Sequence, residues 1–270
     1  MTTQPLKEEQ IIWFVFQNGL LMLPKKHPSH LLTNAQLSSF NKPFQRQYKF
    51  SQQENFIFHC VELHTDDHVP EGFELFPLRK AMEMLGTDWY HLVVKAFTII
   101  NWDKTHQFCG HCGYPTQYNP KMFPSFERQC TACSLLFYPR ISPTIIVRIQ
   151  KNDHLLMARS PHFPKGIYAL IAGFVEPGEG IEDAVHREVK EEVGISIKNL
   201  QYFGSQPWPF PDSLMIAFTA EYASGELTIN QTEIEEAGWY HVNHLPGRPS
   251  SKLSIASKLI DDFIEQHIKR

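Results

Sequence analysis

The sequence lacks any long hydrophobic run. Its longest uninterrupted apolar stretches, such as Ile11 to Phe16, are about a third of the ~20 residues that a membrane-spanning helix needs. The amino terminus also lacks a basic start followed by an apolar segment, which is the pattern of a secretory signal. Together these absences predict a protein with no membrane span that works in the cytoplasm.

An excess of basic residues is also missing. The chain has 25 Lys and Arg against 29 Asp and Glu, a formal net charge of −4, which argues against binding of nucleic acid by bulk charge. A local basic patch, for example Lys121, Arg128 and Arg140, is still compatible with contacts to single-stranded RNA. The alternative for these three residues is a solvated rim.

Internal repeats and low-complexity tracts are absent as well, and the composition, 42% hydrophobic and 20% charged, is that of an ordinary folded chain. A length of 270 residues favours two or three domains. Short strands are predicted up to about residue 75, and two helices between Leu78 and Ile100 with an interruption near Gly86. We predict a small α+β domain at 1–104, a cysteine-containing segment at 105–140 and a third domain at 141–270.

Cysteines are few and odd in number, which disfavours a disulfide framework. Cys60 lies in an alternating apolar run and is predicted to be a buried thiol. The other four form two C-x2-C pairs separated by 17 residues: Cys109, Cys112, Cys130 and Cys133. This spacing predicts a zinc ribbon, in which four thiolates leave no open coordination position and the ion is structural. Two disulfides or a redox pair are the alternatives.

A second cluster of candidate ligands lies on a predicted helix from Ile181 to Val193 that ends at Gly194. One face of this helix is apolar and contains Ile181, Ala184, Val185, Val189 and Val193. Glu188 and Glu192, one turn apart, project from the same face, where two carboxylates repel each other unless a cation lies between them. Oxygen ligands favour Mg²⁺ or Mn²⁺. The alternative is a charged surface helix with modest i,i+4 pairs.

These acids belong to a longer pattern, G-x5-E-x7-R-E-U-x-E-E-x-G-U with U apolar. It is matched in full by Gly173, Glu179, Arg187, Glu188, Val189, Glu191, Glu192, Gly194 and Ile195. The pattern resembles the Nudix box, which implies metal-dependent hydrolysis of a nucleoside diphosphate linked to another group. The resemblance further implies that Glu188 and Glu192 are metal ligands, that Glu191 is a further ligand or a support, and that Arg187 pairs with Glu179.

A stiff segment rich in proline and aromatic residues, SQPWPFPDSLM, begins at Ser205, ten residues after the box. Such rings suit stacking on a base, although the segment could equally pack its aromatics into the core. Downstream of a Nudix box it resembles the signature of the NADH pyrophosphatase branch of the Nudix hydrolases, and the upstream zinc ribbon fits the same branch.

The resemblance implies a set of site residues. Substrate contacts would come from Gln206, Pro207, Trp208, Pro209, Phe210, Pro211, Asp212 and Ser213, and also from Tyr138, Phe174, Arg79 and Ala256. Tyr138 and Phe174 have a core aromatic as the alternative. The Ala172 carbonyl and the Glu233 carboxylate would complete metal coordination with Glu188 and Glu192, with Glu235 and Glu236 as competing assignments for Glu233.

We therefore expect an α/β chain: a Nudix α/β/α sandwich with a mixed sheet, preceded by a zinc ribbon and a small α+β domain. The implied activity is hydrolysis of NAD(H) to NMN(H) and AMP, together with removal of NAD caps from RNA, by a homodimer. Glu192 or Glu191 would accept a proton from the attacking water. Another substrate such as ADP-ribose or a dinucleoside polyphosphate, or a sensor that binds without cleaving, is the alternative.

Overall fold

The computed structural model describes residues 10–37, 40, 43–53, 55–119, 126–249 and 251–268. The chain forms two compact units, residues 1–140 and 141–270. The first unit contains both the strand-rich segment and the cysteine segment, so a domain boundary at 104/105 stays a prediction. Among the helices in the described residues, none combines the length and the apolar character needed to span a membrane.

The amino-terminal part of the first unit is a six-stranded sheet with helices, as the apolar runs predict. Its elements are β1 (Gln10–Gln17), β2 (Leu20–Pro24), β3 (Leu32–Thr33), α1 (Asn34–Leu37), β4 (Arg46–Gln53), β5 (Phe56–Glu62), β6 (Phe73–Pro77), α2 (Leu78–Leu85) and α3 (Thr87–Thr105). Gly86, at a φ of 77°, separates α2 from α3 and confirms the predicted interruption. Cys60 on β5 is fully buried, as expected.

The cysteine segment forms a small antiparallel sheet of three strands. These are β7 (Thr116–Tyr118), β8 (Arg128–Cys130) and β9 (Leu136–Phe137). The grouping of Arg128 with exposed basic residues is wrong, because Arg128 is buried and forms an ion pair with Asp103 of α3. A buried guanidinium needs such a partner, and the sequence did not show that one was available. Arg140 is exposed, and Lys121 lies outside the described residues.

The second unit is a mixed sheet between two helices. Its elements are β10 (Ser142–Lys151), β11 (His154–Arg159), β12 (Ile171–Phe174), α4 (Ile181–Val193), β13 (Ser196–Trp208), β14 (Ser213–Ser224), β15 (Glu236–His241) and α5 (Ile255–Ile268). Alternate residues of β10 point to opposite faces. Ile145 therefore packs in the cluster that contains α4, and Ile146 in the one that contains α5. The expected α/β/α sandwich is confirmed.

The two units repeat one sheet topology, although the sequence shows no repeat. The strand order is β4-β5-β1-β2-β6 in the first and β13-β14-β10-β11-β15 in the second, with β3 on β1 and β12 on β10. In each sheet the central pair, β1 with β5 and β10 with β14, is parallel. The single turn α1 occupies the place between β3 and β4 that α4 occupies between β12 and β13. Among its described residues, the first unit therefore has this sheet without a counterpart of the long carboxylate helix.

The spacing of Ala256, Leu259, Ile260, Phe263 and Ile264 predicts a last helix with one apolar face, capped by Ser250 and Ser251. Helix α5 has this face, because Leu259, Ile260 and Phe263 are buried and Ala256 and Ile264 pack beside them. Its amino-terminal cap is Ser254 instead. The Ser254 Oγ accepts a hydrogen bond of 3.2 Å from the Ser257 N–H, as a cap does. The Ser251 carbonyl accepts from both hydroxyls instead, and Ser250 lies outside the described residues.

Candidate active site

Helix α4 forms over the range that the sequence predicts, Ile181–Val193. It ends at Gly194, whose φ of 75° is a left-handed conformation that costs glycine least. Ala184, Val185 and Val189 are fully buried against the sheet. The packing of this apolar face fixes the direction in which the acidic side chains of the same face point.

Glu188 and Glu192 are buried at 8% and 6% exposure, which excludes the alternative of a solvated surface helix. Glu233, exposed on the connection between β14 and β15, completes a cluster in which carboxylate oxygens of all three lie within 4.8 Å of one another. Burial, and then the charges of Glu188 and Glu233, raise the pKa of Glu192 to about 8. Burial also raises the pKa of Glu188. Three converging carboxylates of this kind fit a hard divalent cation.

Strand β12 lies directly against Glu188. Gly173 of this strand is so close that a Cβ built on it would lie 2.0 Å from the Cδ and Oε1 atoms of Glu188. Only glycine leaves room for the carboxylate here. Ala172, whose carbonyl is a predicted ligand, is the preceding residue and pairs with Ile146 of β10. Its role as a ligand stays a prediction.

Arg187 ties the loop before α4 to the helix. Its Nε and Nη2 donate to the two carboxylate oxygens of Glu179 at 2.7 and 2.9 Å, the pairing that the family resemblance implies. Its Nη1 donates to Glu188 and Glu191, and its Nη2 also donates to the Phe174 carbonyl at 2.9 Å. The guanidinium therefore fixes three acids of the box and the end of β12 in one network.

The proline-rich segment is the turn of a hairpin rather than a free loop. Strand β13 runs to Trp208, β14 begins at Ser213, and these two residues pair across the turn. The Trp208 and Phe210 rings lie 5.3 Å apart at 70°. The aromatics of the segment therefore lie at one end of β13 and β14, and their contact with substrate stays a prediction.

Gln206 is placed differently from its neighbours. Its side chain is buried and donates to the Leu253 carbonyl at 2.7 Å, while its Oε1 accepts from the Ile255 N–H at 2.6 Å. Gln206 thus fixes the start of α5 through the backbone of Ile255, the residue before Ala256. A structural role of this side chain is clear from these bonds, and its predicted contact with substrate is untested.

Three of the remaining predicted substrate residues are exposed, whereas Ala256 is half-buried and packs in the core cluster that contains α5. Phe174 is 51% and Tyr138 is 55% exposed, so neither is the core aromatic of the alternative interpretation. Phe174 lies at the end of β12, one residue after Gly173. Tyr138 and Arg79 belong to the first unit, where Arg79 is an exposed residue of α2.

The four ribbon cysteines converge as predicted, and none of them is in a disulfide. Three Sγ–Sγ distances between the two pairs are 3.4 to 3.7 Å, against about 3.8 Å for the edge of a tetrahedron with Zn–S bonds of ~2.3 Å. The N–H groups of Ala132 and Cys133 donate to the Cys130 Sγ, and the Cys133 N–H is the main reason why the pKa of this thiol is lowered to about 6. This arrangement can hold a tetrahedral ion.

Two parts of the chain match known family descriptions. Residues 139–263 match the NUDIX domain, and residues 11–102 match the NADH pyrophosphatase-like rudimentary NUDIX domain. Over 258 residues the chain is 39% identical to the protein of Chromobacterium violaceum named NAD-capped RNA hydrolase NudC, which covers 95% of this chain and 93% of that protein. The chain belongs to the Nudix family. A Pseudomonas fluorescens protein of the same name is 44% identical over 210 residues, 78% of the Nudix chain and 74% of its relative.

A solved structure supports the fold of this Nudix chain. The NUDIX hydrolase from Nitrosomonas europaea aligns with a TM-score of 0.51 at 17% identity, over 60% of this chain and 93% of that one. The match to a rudimentary NUDIX domain also explains the repeated topology, because both units then have the same kind of sheet.

One class of residue was missed from the sequence of this Nudix chain, namely those that hold Glu233 in place. Asn230 lies within the connection that carries Glu233 and bonds to its other residues, and Arg159 of β11 bonds to Glu235 of the same connection. A single Asn in a loop and an Arg at the end of a strand have no spacing that would mark them.

Proposed function

We propose that this Nudix chain hydrolyses the pyrophosphate bond of NAD(H), yielding NMN(H) and AMP, and removes NAD caps from RNA 5′ ends. The observation that carries the proposal is the cluster of Glu188, Glu192 and Glu233, buried at its base and placed beside Gly173. The relatives named NAD-capped RNA hydrolase NudC and the match to an NADH pyrophosphatase-like domain support this substrate.

The three carboxylates would hold Mg²⁺ or Mn²⁺, together with the Ala172 carbonyl. Such ions, when bound, neutralise the charge of the diphosphate and activate water. Glu192 or Glu191 would accept the proton of the attacking water. Arg187 already binds one Glu191 oxygen at 3.0 Å, which orients that carboxylate from outside the cluster. The chain thus supplies ligands, a base and a positioned network.

Substrate orientation would depend on the other residues of the predicted set. Phe174 offers an exposed ring beside Gly173, and Arg187 fixes its carbonyl. The turn from Pro207 to Ser213 would bind the dinucleotide, and Tyr138, Arg79 and Ala256 complete the proposed set. We assign Zn²⁺ to the four cysteines as a structural ion, since four thiolates leave no position for a substrate.

A homodimer and a cytoplasmic location are the remaining parts of the proposal. The family resemblance implies the dimer. Light scattering on purified protein should give twice the chain mass of 31.3 kDa, and cell fractionation tests the location.

The proposed reaction is tested by mass spectrometry of products. Purified protein is incubated with NADH and Mg²⁺ or Mn²⁺, beside Glu192→Gln and the matched control Glu182→Gln, whose side chain is exposed on the same helix. We expect AMP and reduced nicotinamide mononucleotide with the unmodified protein and the control, and not with Glu192→Gln. Absence of cleavage by a zinc-loaded protein would contradict the proposal and favour another diphosphate or a sensor. NAD-capped RNA is compared next.

A further inference from the structure

Two kinds of structure supply the carboxylate cluster. Glu188 and Glu192 are on α4, a helix packed on the sheet, whereas Glu233 lies on residues 225–235, a connection outside the helices and strands. A ligand on such a connection needs other contacts to hold it within a fraction of an ångström. The hydrogen bonds around Asn230 show what those contacts are.

The first contact joins the connection to the helix backbone. The Asn230 N–H donates to the Glu192 carbonyl at 3.0 Å, and the Thr228 N–H donates to the Val193 carbonyl at 3.0 Å. The last carbonyls of a helix have no donor within the helix, and the connection provides two. Asn230 is therefore attached to the backbone of Glu192, a member of the cluster.

The second contact forms the turn that carries Glu233. The Asn230 carbonyl accepts from the N–H groups of Glu233 and Ile234 at 3.1 and 2.9 Å. Its side-chain Oδ1 accepts from the Thr232 N–H at 3.2 Å and the Thr232 hydroxyl at 2.7 Å. A side-chain amide that bonds to the backbone two residues on is typical of a stabilised turn.

The far side of the turn is fixed as well. Ile234 is buried in the core cluster that includes α4. The Glu235 N–H donates to the Arg159 carbonyl at 2.8 Å, and the Arg159 Nη1 donates to the Glu235 carboxylate at 2.7 Å. Glu233 is thus an exposed residue of a turn that is held at both ends, and the Asn230 N–H links that turn directly to the Glu192 carbonyl.

We propose that Asn230 is a positioning residue that holds the Glu233 carboxylate against Glu188 and Glu192, so that the three form one site for Mg²⁺ or Mn²⁺. It acts through Glu233 and contacts neither substrate nor ion. This inference rests on the proposed function, in which Glu233 is a ligand. Its chemical basis is the Asn230 Oδ1, the acceptor that closes the turn.

Binding of Mn²⁺, followed by electron paramagnetic resonance without substrate, tests the proposal together with kcat and KM for NADH. We expect Asn230→Ala to weaken Mn²⁺ binding about tenfold, as loss of an outer partner of a ligand does, and to lower kcat with little change in KM. Asn230→Asp keeps an oxygen acceptor at this position and should retain most of the Mn²⁺ affinity and most of kcat. Thr232→Val removes the hydrogen bond from the Thr232 hydroxyl to the Asn230 Oδ1 and should lower Mn²⁺ affinity and kcat by less. Asn243→Ala, an exposed asparagine of the same unit, is the matched control.

A double variant decides whether Asn230 acts through Glu233. If it does, Asn230→Ala combined with Glu233→Gln binds Mn²⁺ as weakly as Glu233→Gln alone. Two results would overturn the proposal. One is a double variant whose loss of Mn²⁺ affinity is the product of the two single losses, and the other is unchanged Mn²⁺ binding in Asn230→Ala. If Glu233→Gln leaves Mn²⁺ binding unchanged while NADH is still cleaved, Glu233 is not a ligand and has nothing to be positioned for, although the proposed reaction stands. If NADH is not cleaved by the unmodified protein, the proposed function fails. The Mn²⁺ titrations, which need no substrate, then still decide whether Asn230 positions Glu233.

Discussion

A methyl group added at Gly173 would lie 2.0 Å from the Glu188 carboxylate, so Gly173→Ala must displace either β12 or Glu188. A misplacement of about 1 Å in an active site lowers activity about 100-fold. We expect at least that loss in kcat/KM with NADH, and weaker Mn²⁺ binding. Gly204→Ala is the control, because its Cβ would make an ordinary contact of 3.9 Å with Ile255. Full activity in Gly173→Ala would contradict this prediction, because the Glu188 carboxylate would then tolerate a methyl group at residue 173.

The raised pKa of Glu192 predicts how stability depends on pH in the metal-free protein. Its pKa is about 8 when folded against a usual value of 4.5, so the folded chain holds a proton that the unfolded chain releases. The free energy of unfolding therefore falls as pH rises from about 4.5 to about 8. Glu192→Gln should remove much of this fall and raise the Tm of the metal-free protein at pH 8.

With Mn²⁺ present, the unmodified protein should have the higher Tm of the two at pH 8. A bound ion stabilises the folded chain by mass action, and Glu192→Gln loses a ligand for it. Differential scanning calorimetry at pH 5 and pH 8, with and without Mn²⁺, measures both effects. Glu182→Gln should follow the unmodified protein throughout. Equal Tm values for Glu192→Gln and the unmodified protein at pH 8 without metal would contradict the raised pKa of Glu192.

At the scale of elements, local patterns were sufficient for α4 and for the cysteine pairs. The apolar spacing and Gly194 gave the helix its bounds, and C-x2-C spacing brought the four sulfurs together. Local patterns did not show the buried hydrogen bonds of Gln206. Its partners, Leu253 and Ile255, lie 47 and 49 residues away in sequence, and no local pattern reports a contact at that separation.

The ribbon predicts one zinc ion per chain. Cys112→Ser should lose this zinc, because it removes one of four thiolates, and a structural zinc site contributes directly to folding. Elemental analysis by mass spectrometry measures the zinc content. Cys60→Ala is the matched control, since Cys60 is buried in β5 away from the quartet and should leave the zinc in place. Zinc retained at full content by Cys112→Ser would contradict the site.

At the scale of the whole molecule, a chain of ion pairs, buried except at the half-buried Arg46, connects the ribbon to the rest of the first unit. Arg128 of β8 pairs with Asp103 of α3, Asp103 pairs with Arg46 of β4, and Arg46 pairs with Glu62 of β5. Arg128 also donates to the Thr116 hydroxyl and carbonyl at 2.7 Å. The stability of such a network depends on every member, because removing one leaves another charge buried without a counter-charge.

Asp103→Asn is therefore expected to destabilise the first unit by about 3–5 kcal/mol, because it leaves Arg46 and Arg128 without their shared counter-charge. Chemical denaturation followed by tryptophan fluorescence measures the change, since Trp102 is buried beside this residue. Asp66→Asn, at an exposed position of the same unit, should change stability by less than about 0.5 kcal/mol. A similar stability of Asp103→Asn and Asp66→Asn would contradict the role of Asp103.

The sequence by itself determined what depends on spacing within one segment: the bounds of α4, the cysteine quartet, and the box that resembles the Nudix family. These are local because a helix turn or a ribbon knuckle brings together residues a few positions apart. Only the tertiary structure decided the burial of Arg128, the anchor of Gln206 at α5, and the turn at Asn230 beside Glu192. It also revealed the repeated sheet, because topology can persist when side chains no longer match. Each of these depends on contacts between distant segments, which no periodicity along the chain records.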